Sequence, residues 1–195
     1  MEDPNKKARV NAGQSSPEIF AARKSPSREP CSIWRSLVAE AKTVKENDEF
    51  MKEIIDRGIL EHEGFASAMT TLLADQFATE RVPAAKWAAL FSTAYEKDII
   101  YHEGYDSARA MGLLDLIATA ERDPASGGMV NPFLYYKGYK ALQTHRIAHI
   151  LWNQGRKDAA RAIQSRCSDL FAVDIHPAAR IGKNMFCLHY VLPYI

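Results

Sequence analysis

The chain has 195 residues, a formal net charge of +1 and a hydrophobic fraction of 47%. This length suits one domain with at most a small appendage, and the composition is ordinary for a soluble globular protein. A near-zero net charge gives no general attraction for polyanions, so we expect no nucleic-acid partner. No apolar run approaches the roughly 18 residues that a membrane span needs, so we expect no membrane partner either.

The cysteines and the N-terminal stretch bear on the compartment. The three cysteines, Cys31, Cys167 and Cys187, show no C-x-x-C spacing. They are typical of unpaired thiols in a reducing compartment, not of a disulfide framework or a zinc site. Residues 1–30 are rich in Pro, Ser, Lys and Arg, which predicts a disordered tail. Acidic residues in this tail argue against an organelle transit peptide, so we expect a cytoplasmic protein.

Helical periodicity dominates residues 31–171, and no β-hairpin signal precedes Ala172. We therefore predict an all-α domain over residues 31–171. Ser32 is the expected N-cap of the first helix, and Gly58 and Gly155 are expected helix ends. The predicted helices are 33–44, 50–57, 62–78, 83–95, 102–120, 132–153 and 157–170, with a loop at 123–128.

Two histidines four residues apart, His145 and His149, fall on one helix face, as in the zinc motif H-E-x-x-H. Arg146 stands where the motif's general-base glutamate would be, and a cation there would repel a metal dication. We therefore expect no metal site and interpret both histidines as packing residues.

The most informative stretch runs from residue 131 to 182. It contains K-G-Y at 137–139, A-L-Q at 141–143, H-R at 145–146 and L-W-N-Q at 151–154, followed by D-I-H-P-A-A at 174–179. Ile175 and Ile181 lie six residues apart, which is the repeat of a left-handed parallel β-helix. With R-D-P-A at 122–125, these motifs resemble the serine O-acetyltransferase family in order and type, over residues 33 to 185.

This resemblance implies a fold and a reaction. The fold would be an all-α helical N-terminal domain followed by a truncated beginning of a left-handed parallel β-helix over residues 172–195. The reaction would move an acetyl group from acetyl-CoA, a co-substrate and not a bound cofactor, to the hydroxyl of L-serine. The resemblance also implies a homo-oligomer, trimeric or hexameric, and O-acetylserine sulfhydrylase as a possible partner.

The resemblance further implies three site residues. Asp123 of the R-D-P-A loop would bind substrate, although a loop Asp before Pro is by itself a common turn former. Asp174 would orient His189, the general base, which lies 15 residues further on. Leu188 departs from the family pattern, which has a serine-binding Asp at that place.

About one coil of residues follows Val173, whereas at least about three stacked repeats are normally needed for a stable solenoid. A second hypothesis therefore stands beside the enzyme: a truncated, catalytically inactive isoform or fragment that acts only as an oligomerisation module. We also expect the residues after Gly182 to be poorly ordered.

Overall fold

The computed structural model describes residues 29–101 and 106–187, and within 99–101 the backbone alone. Residues 1–28 of the predicted tail lie outside the described range, and so does His189. The described residues form the helices α1 Pro30–Asn47, α2 Met51–Ile55, α3 Phe65–Phe77, α4 Ala84–Tyr101, α5 Ala108–Arg122, α6 Val130–Tyr135, α7 Lys137–Asn153 and α8 Lys157–Phe171. The all-α prediction is confirmed for these residues, none of which forms a strand. No described helix is long and apolar enough to cross a membrane.

Two helix boundaries differ from the predictions near the start of the chain. Glu29 is the N-cap of α1 and Pro30 occupies the first turn, so Ser32 lies inside the helix and does not cap it. Gly58 does not end a helix but lies buried in a π-helical segment, Asp56–Leu60, which continues α2. A Cβ at Gly58 would lie 3.0 Å from Leu134 Cδ2, so this glycine permits close packing between segments.

The start of α5 also differs from the prediction. Ser107 caps this helix through its side chain, which accepts a hydrogen bond from the Ala110 amide. The predicted start at residue 102 lies outside the described residues.

The predicted helix over 132–153 is two helices. Tyr136 has an extended backbone (φ −72°, ψ 113°) and separates α6 from α7. A 3.6-residue pattern continues across such a break, which is why periodicity alone did not reveal it. The break places the Tyr136 side chain at the N-terminal end of α7.

Helix α7 is the centre of the domain. Its residues from Gly138 to Ala148 are all buried, and it packs most extensively against α8. Aromatic side chains fill much of the surrounding core, with Phe77 in contact with the rings of Trp87, Phe91 and Phe171. Because α7 is enclosed, its polar side chains must find partners inside the protein.

The chain leaves α8 through Ala172, which has a left-handed backbone (φ 56°, ψ 31°). A residue in this conformation commonly ends a helix and redirects the chain. Residues 173–187 then follow without a described strand, so the β-helix start remains a prediction. Ile175 and Ile181 are both half-buried.

Candidate active site around the N-terminal half of α7

Asp123 is the first residue after α5 and organises the loop that follows. Its Oδ1 accepts a hydrogen bond from the Ala125 amide at 2.9 Å, and its carbonyl accepts one from the Ser126 amide at 3.1 Å. These are the contacts of a turn-forming aspartate. The predicted loop at 123–128 is therefore confirmed, and the Asp123 side chain is held by it.

Tyr136 is a second partner of Asp123, which the sequence did not reveal. Burial, followed by the hydrogen bond to Asp123, raises the pKa of the Tyr136 hydroxyl to about 12. The phenol therefore stays protonated at neutral pH and donates to the carboxylate. The Asp123 side chain therefore lies close to the Tyr136 hydroxyl at the start of α7.

Asp174 lies three residues beyond the end of α8 and is exposed. The Gln164 side chain of α8 donates to its Oδ1 over 2.6 Å. One carboxylate oxygen is thereby anchored to the preceding helix, which limits the rotation of the side chain.

Cys187 is the last described residue, and its main chain lies against α7. A Cβ at Gly138 would overlap the Cys187 carbonyl oxygen, so the backbone passes where only glycine leaves room. The buried Cys167 thiol lies near both Cys187 and Asp174. Burial first, then these two groups, raise its pKa to about 12. His189 would continue from this point, two residues further along the chain.

The loop and the final segment are joined directly. Arg122, the residue before Asp123, donates from Nη1 to the Asn184 carbonyl at 2.9 Å. Asp123 and Cys187 thus lie near the N-terminal end of α7, and Asp174 lies near the buried Cys167 thiol. Two carboxylates near the chain that leads to a histidine provide groups that could bind a cation and orient a base.

Farther along α7, Arg146 and Asp115 form a buried ion pair. Arg146 Nη2 lies 2.7 Å from Asp115 Oδ2, and the side chains are 3% and 0% exposed. Burial raises the pKa of the Asp115 carboxyl, while the Arg146 charge opposes the shift. Gln143 Nε2 also donates to Oδ2 at 3.2 Å, and the Met185 amide donates to Oδ1 at 2.9 Å. Sequence reasoning missed this pair, although an acid inside the apolar run 113–117 was a signal for it.

His145 and His149 bond to main-chain carbonyls. His149 Nδ1 donates to the Pro177 carbonyl at 2.7 Å, and His145 Nε2 donates to the Ala179 carbonyl at 3.2 Å. Burial, followed by the nearby His149, lowers the pKa of His145 to about 4, so this ring is neutral at pH 7. Among the residues that the structure describes, no three His, Cys, Asp or Glu side chains converge as metal ligands would.

A cavity of about 710 Å³ opens near the C-terminal half of α7. Helices α4, α5 and α7 and residues 180–182 contribute to its wall, which includes His149, Asn153 and Arg180. Neither Asp123 nor Asp174 lines it. The cavity is therefore distinct from the group of predicted site residues.

Comparison with known proteins gives a consistent result. A family model described as "Serine acetyltransferase, N-terminal" matches residues 33–144. A probable serine acetyltransferase 2 from Oryza sativa subsp. japonica is 38% identical over 159 residues, which are 80% of this chain and 42% of that protein. The chain thus spans less than half the length of this relative.

Solved structures agree with the sequence matches. A serine acetyltransferase in complex with CoA superposes with a TM-score of 0.74 at 35% identity, over 80% of this chain and 63% of that one. Soybean serine acetyltransferase complexed with serine gives a TM-score of 0.71 at 35% identity, over 82% of this chain and 62% of that one.

Proposed function

Because this chain belongs to the serine acetyltransferase family, we propose that it serves acetyl transfer from acetyl-CoA to the hydroxyl of L-serine. The products are O-acetylserine and CoA. The serine oxygen forms a bond to the acetyl carbon, the thioester C–S bond breaks, and the hydroxyl proton passes through a base to the leaving thiolate. No metal or bound cofactor takes part in this proposal.

One observation carries the proposal: the loop that holds Asp123 is tied to the chain that leads to His189. The bond from Arg122 to Asn184 and the packing of Cys187 on Gly138 bring the two together. In the proposed reaction Asp123 binds the serine ammonium group, since a carboxylate is the natural partner of that cation.

His189 is the proposed general base, and Asp174 its orienting carboxylate. A histidine has a pKa near neutrality, and a carboxylate on its second ring nitrogen fixes the tautomer and stabilises the imidazolium. The bond from Gln164 to Asp174 supports this role because it holds the carboxylate in one orientation.

The remaining features of the family are also proposals for this chain. Residues 172–195 begin a left-handed β-helix, after a tail at 1–30 and a helical domain at 31–171. The protein forms homo-oligomers, is cytoplasmic, and has O-acetylserine sulfhydrylase as a possible partner.

The test measures serine-dependent thiol release from acetyl-CoA. Two proteins are assayed: the 195-residue chain, and a chimera that continues after Phe186 into the corresponding remainder of the soybean enzyme. We expect Asp174→Ala to lower kcat by roughly 10²–10⁴-fold in whichever protein turns over. Unchanged kcat in that variant, or no serine-dependent release by either protein, would contradict the proposal.

Asp123 is tested with a matched pair of variants. Asp123→Asn keeps an oxygen that can accept from the Ala125 amide but removes the charge, so KM for serine should rise at least about tenfold. Tyr136→Phe removes the hydroxyl and keeps the charge, and should change KM much less. Equal effects of the two variants would argue for a purely structural role of Asp123.

A further inference from the structure

The chain that follows α8 runs back along α7. His149 bonds to the carbonyl of Pro177, and His145, one turn earlier in the helix, bonds to the carbonyl of Ala179. The residue with the lower number in α7 thus contacts the residue with the higher number in the segment. The two therefore lie antiparallel.

Arg146, which is next to His145 in α7, bonds to the residues of the segment that follow Ala179. Its Nη1 donates to the Ile181 carbonyl at 3.2 Å, and its Nη2 donates to the Gly182 carbonyl at 2.7 Å. Asp115, the ion-pair partner of Arg146, accepts from the Met185 amide at 2.9 Å. The buried pair thus bonds to the main chain of this segment at three residues, Ile181, Gly182 and Met185.

The series ends at Gly138. The Cys187 carbonyl oxygen occupies the space that a Cβ at this position would need. Positions 138, 145 and 149 are seven and four residues apart, and such spacings share one helix face. We call Gly138, His145, Arg146 and His149 the α7 docking face.

Each of these contacts is made to the main chain of the segment. The docking face therefore recognises the path of the backbone and not the side chains of residues 177–187.

We propose that the α7 docking face positions the backbone of residues 177–187 and so sets where the chain stands at Cys187. Gly138 and Arg146 are its principal positioning residues. The catalytic purpose of this position rests on the proposed function, whereas the docking itself does not.

Gly138→Ala is the sharpest test. Alanine is at least as favourable as glycine in a helix, so α7 should remain formed, while the new Cβ displaces the Cys187 backbone. Gly182→Ala is the matched control, because a Cβ there meets no heavy atom within 4 Å although the residue lies in the docked segment.

Two measurements are made on the full chain, in which the substitution Cys31→Ser removes the exposed thiol. Hydrogen exchange of peptides spanning 181–187, and alkylation of the half-buried Cys187, should both accelerate at least about tenfold in Gly138→Ala. Peptides from α3 and α4 should be unchanged, and Gly182→Ala should match the parent protein. Parent-like exchange and alkylation in Gly138→Ala would overturn the proposal.

A second variant distinguishes a local loss of docking from a general loss of stability. His149→Leu removes the donor to the Pro177 carbonyl at a partly exposed position, so exchange should accelerate in peptides over 177–182 with the melting temperature nearly unchanged. Unaltered exchange in those peptides would count equally against docking.

The catalytic purpose has its own readout. In whichever protein releases CoA in a serine-dependent manner, Gly138→Ala should lower kcat at least about tenfold, with a smaller change in KM for acetyl-CoA. A parent-like kcat would refute the positioning of the reacting groups. Absence of turnover in all proteins would refute the proposed function, and exchange and alkylation would still decide the docking.

Discussion

Arg146 holds Asp115 through two nitrogens at once: Nε lies 2.8 Å and Nη2 lies 2.7 Å from the same carboxylate oxygen. The other carboxylate oxygen accepts from the Met185 amide, and Nη1 and Nη2 of Arg146 donate to the carbonyls of Ile181 and Gly182. One buried pair therefore joins α5, α7 and the segment after α8.

Breaking this pair should be costly. Arg146→Met leaves the Asp115 charge buried without a partner, so the free energy of unfolding should fall by about 3–5 kcal/mol in urea titrations. Arg161→Met is the control: its pair with Asp158 spans 3.3 Å and its side chain is 58% exposed, so the change should stay within about 0.5 kcal/mol. The double variant Asp115→Asn, Arg146→Met should recover part of the loss. Equal effects of Arg146→Met and Arg161→Met would contradict the prediction.

Lys140 should destabilise the fold at neutral pH. Burial, followed by the nearby charge of Lys137, lowers its pKa to about 8. The folded state thus binds the proton more weakly than the unfolded state, so stability should rise as pH increases from about 8 to about 10.

Lys140→Met should remove that rise and increase the free energy of unfolding at pH 7 by about 1–2 kcal/mol. The gain is reduced by loss of the cation–π contact between Nζ and the Phe171 ring, 5.5 Å from its centroid. Lys86→Met, at an exposed position, is the control. A destabilised Lys140→Met protein at pH 7 would show that the buried charge is better compensated than its lowered pKa indicates.

His145 should make the domain sensitive to acid. Its pKa is lowered to about 4 in the folded state, whereas an unfolded histidine titrates near about 6.5. The contribution of neutral His145 to the free energy of unfolding is therefore complete above about pH 6.5. Up to about 3 kcal/mol is lost as the pH falls towards 4.

Urea titrations at intervals from pH 7 to pH 4 measure this loss. His145→Phe should show a smaller decline over the same range, whatever its stability at pH 7. His62→Phe serves as the control, since His62 is only partly buried in another region. Parallel pH profiles for the parent protein and His145→Phe would contradict the assignment.

A surface near α2 should mediate the proposed self-association. Phe50 is 78% exposed and Tyr135 is 47% exposed, and the Tyr135 hydroxyl lies 3.7 Å from the sulfur of Met51, the residue next to Phe50. Exposed apolar side chains grouped in this way are typical of an interface.

Sedimentation equilibrium at tens of micromolar should therefore show oligomers, and Phe50→Glu should weaken association at least about tenfold. Met185→Glu, at another exposed apolar position, is the control. A strict monomer for the parent chain would show that this surface is not an interface under these conditions.

The sequence predicted the presence of the helices well, and the residues at which they begin and end less well. The regions predicted as helical before residue 99 and after residue 108 contain helices, because apolar spacing near 3.6 is set locally. The break at Tyr136 and the buried Gly58 depend on neighbours distant in sequence, here Asp123 and Leu134, that no local pattern contains. The same reason explains why Asp123 was predicted without its partner Tyr136.

The sequence by itself determined the helical character of the described part of residues 31–171, the family, and the residue types from which a site could be built. Only the tertiary structure decided how the polar residues of α7 are used. Asp115 is 31 residues from Arg146 and 70 from Met185, and the Gly138 requirement comes from the backbone at Cys187. Such contacts form when buried polar groups must be satisfied inside a shared core, and that depends on how the helices pack and not on local spacing.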